Sequence, residues 1–428
     1  MQVKKLEVAH VRVFDQAEFE FQPGMNLLVG INGAGKSTVL DVLRVMLSHA
    51  LPQFTASRSK PLEFKADDIT FNQGALTVNL EFEAVGLDFD HLIHLPRHEY
   101  VIDPSGEGEV RRQTYDLVER NELKANGQEI SKSSKQYDEQ PLAVYFSTHR
   151  SLPNDKQPSR QASAGGQSAA FAEALDHREL KILEFAEWTR AQEALAAEGT
   201  AQAVRRLETL NEAVTNFLND CTNLRAVKEP KPTLIIDKNN ATLDIRHLSD
   251  GERSVIALVL DLARRLVQAN PKLDDPLKDG KAVVLIDELD LHLHPSWQRT
   301  ICDRLTSTFP SCQFIATTHS PQIVGEVSPD NISLIEQGTV LRPHQSLGMD
   351  SNWILRHIMG TSDTDFDTED RIKHIEALVK DEKYDEAALA IDNLRDRIGG
   401  ENLKLVSLQT RIDMIEFLSD QEYDEKSP

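Results

Sequence analysis

Several short stretches of this sequence carry residue types whose order suits chemistry on a nucleoside triphosphate. Gly30-Ile31-Asn32-Gly33-Ala34-Gly35-Lys36-Ser37-Thr38 matches the phosphate-binding loop pattern completely. Its glycines allow the backbone to wrap closely, so that successive N–H groups can face phosphate oxygens. A helix starting there adds the positive end of its dipole. Gly30, Asn32, Gly33, Ala34, Gly35, Lys36, Ser37 and Thr38 are therefore the expected ATP-binding residues. Lys36 offers a point charge to the β- and γ-phosphates, and Ser37 a hydroxyl to Mg²⁺. The plainer reading is a glycine-rich turn without a ligand. It is disfavoured because a strand-like run, Met25 to Val29, precedes the loop and a helical apolar spacing, Val39 to Leu47, follows it.

Val283-Val284-Leu285-Ile286-Asp287-Glu288 is an apolar strand ending in two acids. Asp287 is the expected second protein contact for Mg²⁺, and Glu288 the expected general base for an attacking water. A strand followed by a solvated acidic turn would look the same in isolation; the complete phosphate loop upstream favours the catalytic reading.

Leu248-Ser249-Asp250-Gly251-Glu252-Arg253 opens a strongly apolar helix. It resembles the signature motif of ABC ATPases, which implies that Ser249, Gly251 and Glu252 address the γ-phosphate held by a second molecule. Ser249 with Glu252 also reads as a capping box, and the two readings are compatible. Thr317-Thr318-His319-Ser320, after another apolar run, resembles the switch histidine segment of ABC and SMC ATPases. That resemblance gives His319 a catalytic role beside Glu288. Asp290-Leu291-His292-Leu293-His294-Pro295 resembles the D-loop, with Asp290 at its start. A metal site on His292 and His294 is the weaker alternative, since no third ligand lies nearby in the sequence. One departure stands out. The expected sensing glutamine is missing after Val144-Tyr145-Phe146, where Ser147-Thr148-His149-Arg150 follows; Gln73 lies early, and Arg150 could equally contact phosphate or cap a surface loop.

The elements needed to position these residues are legible around them. Val3 to Val8 and Ala17 to Phe21 alternate as half-buried strands, and Leu76 to Leu95 is strand-like again. Pro104 to Gln140 is polar and carries Gly106, Gly108 and Gly127, so hairpins and loops are expected there. Leu142 to Phe146, Ala282 to Ile286 and Gln313 to Thr317 read as buried strands, and Asn331 to Leu341 as a hairpin-like pair. Ser151 to Ala170 reads as a mobile loop, and Ala172 to Leu224 as helix. Near the end, Ile372 to Val379, Tyr384 to Leu394 and Leu403 to Leu418 suggest three helices, with Gly399-Gly400 closing the second.

Bulk composition sets limits. The 428 residues carry a net charge of -22, which argues against coating nucleic acid through bulk charge; DNA would need a local basic patch or a partner. About ten of the excess negative charges lie after Met359. No apolar run approaches a membrane span, and with no apolar region after the lysines of Met1 to Lys5 no secretory signal is expected. Cys221, Cys302 and Cys312 show no metal spacing, so a reduced cytoplasmic compartment is expected.

The combined motifs resemble the compact, coil-poor branch of SMC-type ATPases, which includes the RecF and OLD groups and ATPases of anti-phage systems. The Ala143-to-Arg150 segment, the Asp-Leu-His-Leu-His-Pro run and the tail after Ile358 narrow the resemblance to the ATPases of the Septu defence system. The fold implied is an α/β ABC/SMC-type P-loop head with an antiparallel β subdomain, an inserted helical lobe and a C-terminal helical hairpin. The expected divisions are 1–150 and 233–360 for the two halves of the head, 151–232 for the loop and helical insertion, and 361–428 for an acidic linker and docking helices. The resemblance further implies ATP and Mg²⁺ as cofactors, a homo-oligomer of paired heads, and a separate HNH nuclease acting on DNA. Only about seventy residues follow Gly360, too few for the nuclease domain of the OLD group. Asp363, Asp365 and Asp367 are thus read as a solvated linker, and no nuclease activity is expected of this chain alone. The competing reading is a stand-alone RecF-like repair ATPase acting as an ATP-gated DNA clamp. A transporter subunit fits poorly.

Overall fold

The computed structural model describes residues 1–84, 86–97, 101–102, 108–109, 114–119, 140–148, 166–177, 182–218, 220–228, 232–361, 366–400 and 402–424. They fall into two compact units, Met1–Ile354 and Leu355–Pro428.

In the larger unit the strands run, in chain order, β1 (Gln2–Val11), β2 (Phe14–Glu20), β3 (Met25–Gly30), β4 (Ala75–Ala84), β5 (Leu87–Pro96), β6 (Val101–Ile102), β7 (Gly108–Glu109), β8 (Thr114–Glu119) and β9 (Leu142–Phe146). They continue as β10 (Cys221–Val227), β11 (Thr233–Lys238), β12 (Ala241–Asp244), β13 (Ala282–Ile286), β14 (Cys312–Thr317), β15 (Ile332–Glu336) and β16 (Thr339–Leu341). A 6-stranded sheet has the order β16-β15-β3-β14-β13-β9. Its strands β15, β3, β14, β13 and β9 are parallel, and β16 is added antiparallel at the edge. Strands β3, β9, β13 and β14 are buried along their whole length, which is why they read as apolar runs and not as alternation.

A separate antiparallel sheet has the order β2-β1-β4-β5-β8. Strand β4 alternates strictly between half-buried and buried residues, the period of a sheet with one covered face. The helix Lys36–Phe54 buries Leu40, Leu43, Leu47 and Phe54. These share one hydrophobic cluster with Leu76 and Val78 of the antiparallel sheet and with Val283 and Leu285 of the parallel one. The phosphate-loop helix is thereby held by two sheets at once.

The region read from sequence as a loop followed by one long helix is built differently. Residues 151–165 lie outside the described residues, as does most of Pro104 to Gln140. Gln167–Phe171 forms a 3-10 turn that buries Ala169, Ala170 and Phe171. Two helices follow, Ile182–Ala197 and Ala201–Phe217, separated at Gly199, whose φ of 87° is left-handed. Leu224 belongs to strand β10, not to a helix. There, antiparallel pairing of β10 with β11 overrides the Ala- and Leu-rich trend upstream.

The smaller unit holds the helices Phe366–Lys380, Tyr384–Ile398 and Leu403–Asp424. Ile372, Ile375, Ala387, Ile391, Leu405 and Ile412 form its own core. Gly399 ends the middle helix in the left-handed conformation, φ 65°. Asp363 and Asp365 lie outside the described residues, whereas Asp367 pairs with Arg371 and Arg397.

Candidate functional site

The parallel strands β3, β13 and β14 end together: Ile286 stands opposite Ala316, and Thr317 opposite Leu28. The segments leaving these three ends carry the phosphate loop, the Asp-Glu pair and the histidine. An open parallel sheet places ligand chemistry at this carboxyl edge.

In the loop, Gly33 and Gly35 have φ of 79° and 108°, values that L side chains rarely adopt. Gly35 is constrained a second way, because a Cβ there would meet Phe14 Cζ at 2.6 Å. The helix begins at Lys36, with the Val39 N–H bonded to Gly35 O at 3.1 Å. Gly35 has no side chain to cap it, so the amides of the first turn are left to an anion. Lys36 is buried, and its ammonium donates to Gly30 O at 2.8 Å and Ile31 O at 2.9 Å. Burial pushes its pKa below the usual lysine value, against the pull of Asp287, Glu288 and Asp290. Asn32 and Ser37 are exposed, and Ala34 and Thr38 are buried.

Ser37 Oγ donates to Asp287 Oδ1 at 3.2 Å. The same carboxylate oxygen accepts from Thr317 Oγ1 at 2.7 Å. One hydroxyl and one carboxylate side by side are hard oxygen donors, and Mg²⁺ suits such a partial shell because it keeps waters and takes phosphate oxygens. The residues therefore fit that ion. Glu288 follows with φ 49°, a strained position for a residue with a Cβ. Its N–H is fixed on Thr317 Oγ1 at 2.7 Å. Thr317 thus orients both acids. The sequence reading gave it no role, although a hydroxyl at the end of a buried apolar strand was the available signal.

Asp290 Oδ1 accepts from Thr318 Oγ1 at 2.6 Å and from the His319 N–H at 3.1 Å. This carboxylate holds the histidine segment of its own chain. His294 caps the short helix Pro295–Gln298 by accepting from the Ser296 N–H at 3.3 Å.

Ser249 and Glu252 form the capping box of the helix Asp250–Ala269. Ser249 Oγ donates to Glu252 Oε2 at 2.8 Å, and Glu252 is also paired with Lys238. A Cβ on Gly251 would lie 2.6 Å from His292 O, so this helix start abuts the Asp290–Leu293 turn. Among the described residues no hydrogen bond or ion pair joins Ser249, Gly251 or Glu252 to the phosphate loop of the same chain. Of the segment after β9, His149 and Arg150 lie outside the described residues. Gln73 sits in a turn before β4, its N–H on Thr70 O at 3.1 Å.

Two buried arginines also escaped the sequence reading. Arg44, on the phosphate-loop helix, donates to Leu175 O at 2.7 Å and lies 4.2 Å from the Tyr145 ring centroid. Arg265 is paired with the buried Asp261 at 2.9 Å and donates to Ala172 O at 3.1 Å. Together they clamp residues 170–175 beside β9, where Ala174 O accepts from the Tyr145 N–H at 2.8 Å.

A parallel sheet with a phosphate loop, a paired Asp-Glu, a histidine segment and a helix opened by the Ser249–Glu252 capping box defines an ABC/SMC-type P-loop ATPase head. Residues 25–325 match the family described as "AAA domain, putative AbiEii toxin, Type IV TA system". The chain belongs to that family. It is 38% identical over 216 residues to "Retron Ec83 probable ATPase" of Escherichia coli, covering 49% of this chain and 39% of the relative. It is 24% identical over 326 residues to "Septu protein PtuA" of Bacillus thuringiensis, covering 75% of this chain and 72% of that one. The chain spans only about two fifths of the retron relative's length. Among solved structures, the SMC head domain from Thermotoga maritima is similar at TM-score 0.44 and 16% identity, covering 81% of this chain and 100% of that chain.

Proposed function

We propose that this chain binds and hydrolyses ATP with Mg²⁺ as the nucleotide-driven subunit of a cytoplasmic anti-phage defence complex. Two heads would pair across the nucleotide, and pairing would control a separate HNH nuclease that cuts DNA; the chain itself carries no nuclease activity in this reading. The observation that carries it is the meeting of Ser37 and Asp287, 3.2 Å apart, with Lys36 and Glu288 adjoining them in the chain. In this scheme Lys36 holds the β- and γ-phosphates, Ser37 and Asp287 hold the metal, and Glu288 accepts the proton of the attacking water. His319 steadies the γ-phosphate, and Ser249 and Gly251 complete the partner's site. The relation to Septu protein PtuA over 75% of this chain supports the defence role. The acidic unit Leu355–Pro428 is the proposed docking module for the nuclease or a sister subunit. Among the described residues no helix is long and apolar enough to cross a membrane.

The test is ATP hydrolysis by the full chain beside Lys36→Ala and Glu288→Gln, with assembly followed by light scattering. Lys36→Ala should lose nucleotide binding. Glu288→Gln should bind ATP, turn over at least about a hundredfold more slowly, and accumulate as a paired form. Hydrolysis at the normal rate by Glu288→Gln would remove it as the base. Co-expression with a neighbouring HNH reading frame should yield one complex; recovery of a lone monomer would overturn the defence assignment.

A further inference from the structure

The turn that begins at Asp290 and the segment that carries His319 are joined by more than the Asp290 carboxylate. Leu293 N donates to Asp290 O at 3.0 Å, closing the turn. Leu293 O accepts from Gln298 Nε2 at 2.9 Å. Gln298 Oε1 accepts from Ser320 Oγ at 2.7 Å. The Ser320 N–H donates to Thr318 Oγ1 at 3.0 Å, and Thr318 Oγ1 donates to Asp290 Oδ1 at 2.6 Å. The bonds form a closed ring around the backbone of His319, whose own N–H ends on Asp290.

The direction of each bond follows from its partners. Ser320 Oγ accepts from the N–H groups of Gln322 and Ile323, both at 3.2 Å, so its proton is free to donate. The Gln298 atom facing it must therefore be an acceptor. Leu293 O can only accept, so the other Gln298 atom must be a donor. A carboxamide offers one of each on a single terminus at any pH, whereas a carboxyl group of the same size does so only when protonated. Thr318 and Ser320 are 0% and 4% exposed, so water cannot readily replace a lost partner there, and an unmet group in that setting is costly. Gly251 of the signature helix touches the same turn through His292 O, which connects the ring to the surface proposed to meet a second head.

We propose that Gln298 is a positioning residue for His319. It ties the histidine segment to the Asp290–Leu293 turn, so that the imidazole is placed according to where that turn sits. This rests on the ATPase reading for its consequence in catalysis, but the tie itself is a property of the chain without nucleotide.

The experiment compares the full chain with Gln298→Ala and Gln298→Glu. Glutamate keeps the volume and the acceptor for Ser320 but, studied at a pH well above the carboxyl range so that it is ionised, has no donor for Leu293 O. Two readouts are used: backbone hydrogen exchange of residues 318–320 without nucleotide, and kcat and KM for ATP. Both variants should exchange these amides about tenfold faster or more. Both should lose about tenfold or more in kcat, with KM kept within about twofold. Should Gln298→Ala fail to fold, Gln298→Glu carries the test alone. Wild-type exchange in Gln298→Glu overturns the proposal, since bulk would then suffice. A wild-type chain that hydrolyses no ATP removes the ATPase reading, while the exchange rates still decide the role of Gln298.

Discussion

Ser37 Oγ lies 3.2 Å from Asp287 Oδ1 although 250 residues separate them in the chain. The contact joins the first turn of the phosphate-loop helix to the end of β13, and Thr317 buttresses it from β14. Asp287→Asn keeps the shape and removes the charge a metal needs. Half-saturation by Mg²⁺ in the binding of a fluorescent ATP analogue should rise by roughly tenfold or more. An unchanged Mg²⁺ requirement would take Asp287 out of the metal site.

Gly251→Ala sets two effects against each other. Within a helix the change ordinarily stabilises by up to about 1 kcal/mol. Here the new Cβ would stand 2.6 Å from His292 O, and the obstacle is backbone, so the Asp290–Leu293 turn must move. Overpacking of that kind costs about 1–3 kcal/mol and should win. The urea midpoint is expected to fall; a rise would show that the turn yields without cost.

The Ser249–Glu252 cap should make stability depend on pH. Burial raises the Glu252 carboxyl, but bonds from Lys238 and Ser249 outweigh that and hold it below the ordinary value of 4.5. A lowered folded-state pKa contributes stability that is present above the unfolded value and lost as pH falls through the folded one. Lys238 is raised by Glu252, so its share is present below 10.5 and disappears as pH climbs through the raised value. Urea unfolding of Glu252→Gln should therefore fall short of wild type at pH 7, with the gap narrowing in acid. A gap that stays constant from pH 7 to pH 3 would contradict the assignment.

Burial pushes the thiols of Cys302 and Cys312 up to about 12, and that of Cys221 up to about 11. Almost no thiolate exists at pH 8, and the thiolate is the reactive form. Iodoacetamide should leave all three cysteines of the native chain largely unmodified within an hour and label all three after denaturation, as read by mass spectrometry. Fast labelling of Cys302 or Cys312 in the native chain would contradict their placement.

Much of the head was legible before any coordinates, for identifiable reasons. The phosphate loop is local: its glycines, its lysine and the flanking strand and helix lie within about thirty residues, and each type is demanded by a local conformation. Strands β3, β9, β13 and β14 announced themselves because burial on both faces requires uninterrupted apolar runs. The strap at residues 170–175 was not legible. Its residues from Ala172 on read as the start of a helix, whereas the chain makes a 3-10 turn at Gln167–Phe171 and the segment after it is held by side chains from far away, Arg44 and Arg265.

The sequence alone determined which residues could do chemistry and which elements would carry them, since motif spacing and hydrophobic period are properties of neighbouring positions. Tertiary structure alone decided what each group faces: that Asp290 grips the histidine segment of its own chain, that Thr317 orients Asp287 and Glu288, that Leu224 enters a strand, and that Gln298 closes a ring. The Asp290, Thr317 and Gln298 contacts depend on parallel pairing of β13 with β14, which brings residues 22 to 30 positions apart within hydrogen-bond distance, and the strand at Leu224 depends on antiparallel pairing with β11. No period or motif encodes such a meeting, because directional bonds form only after the sheet has fixed where each strand ends.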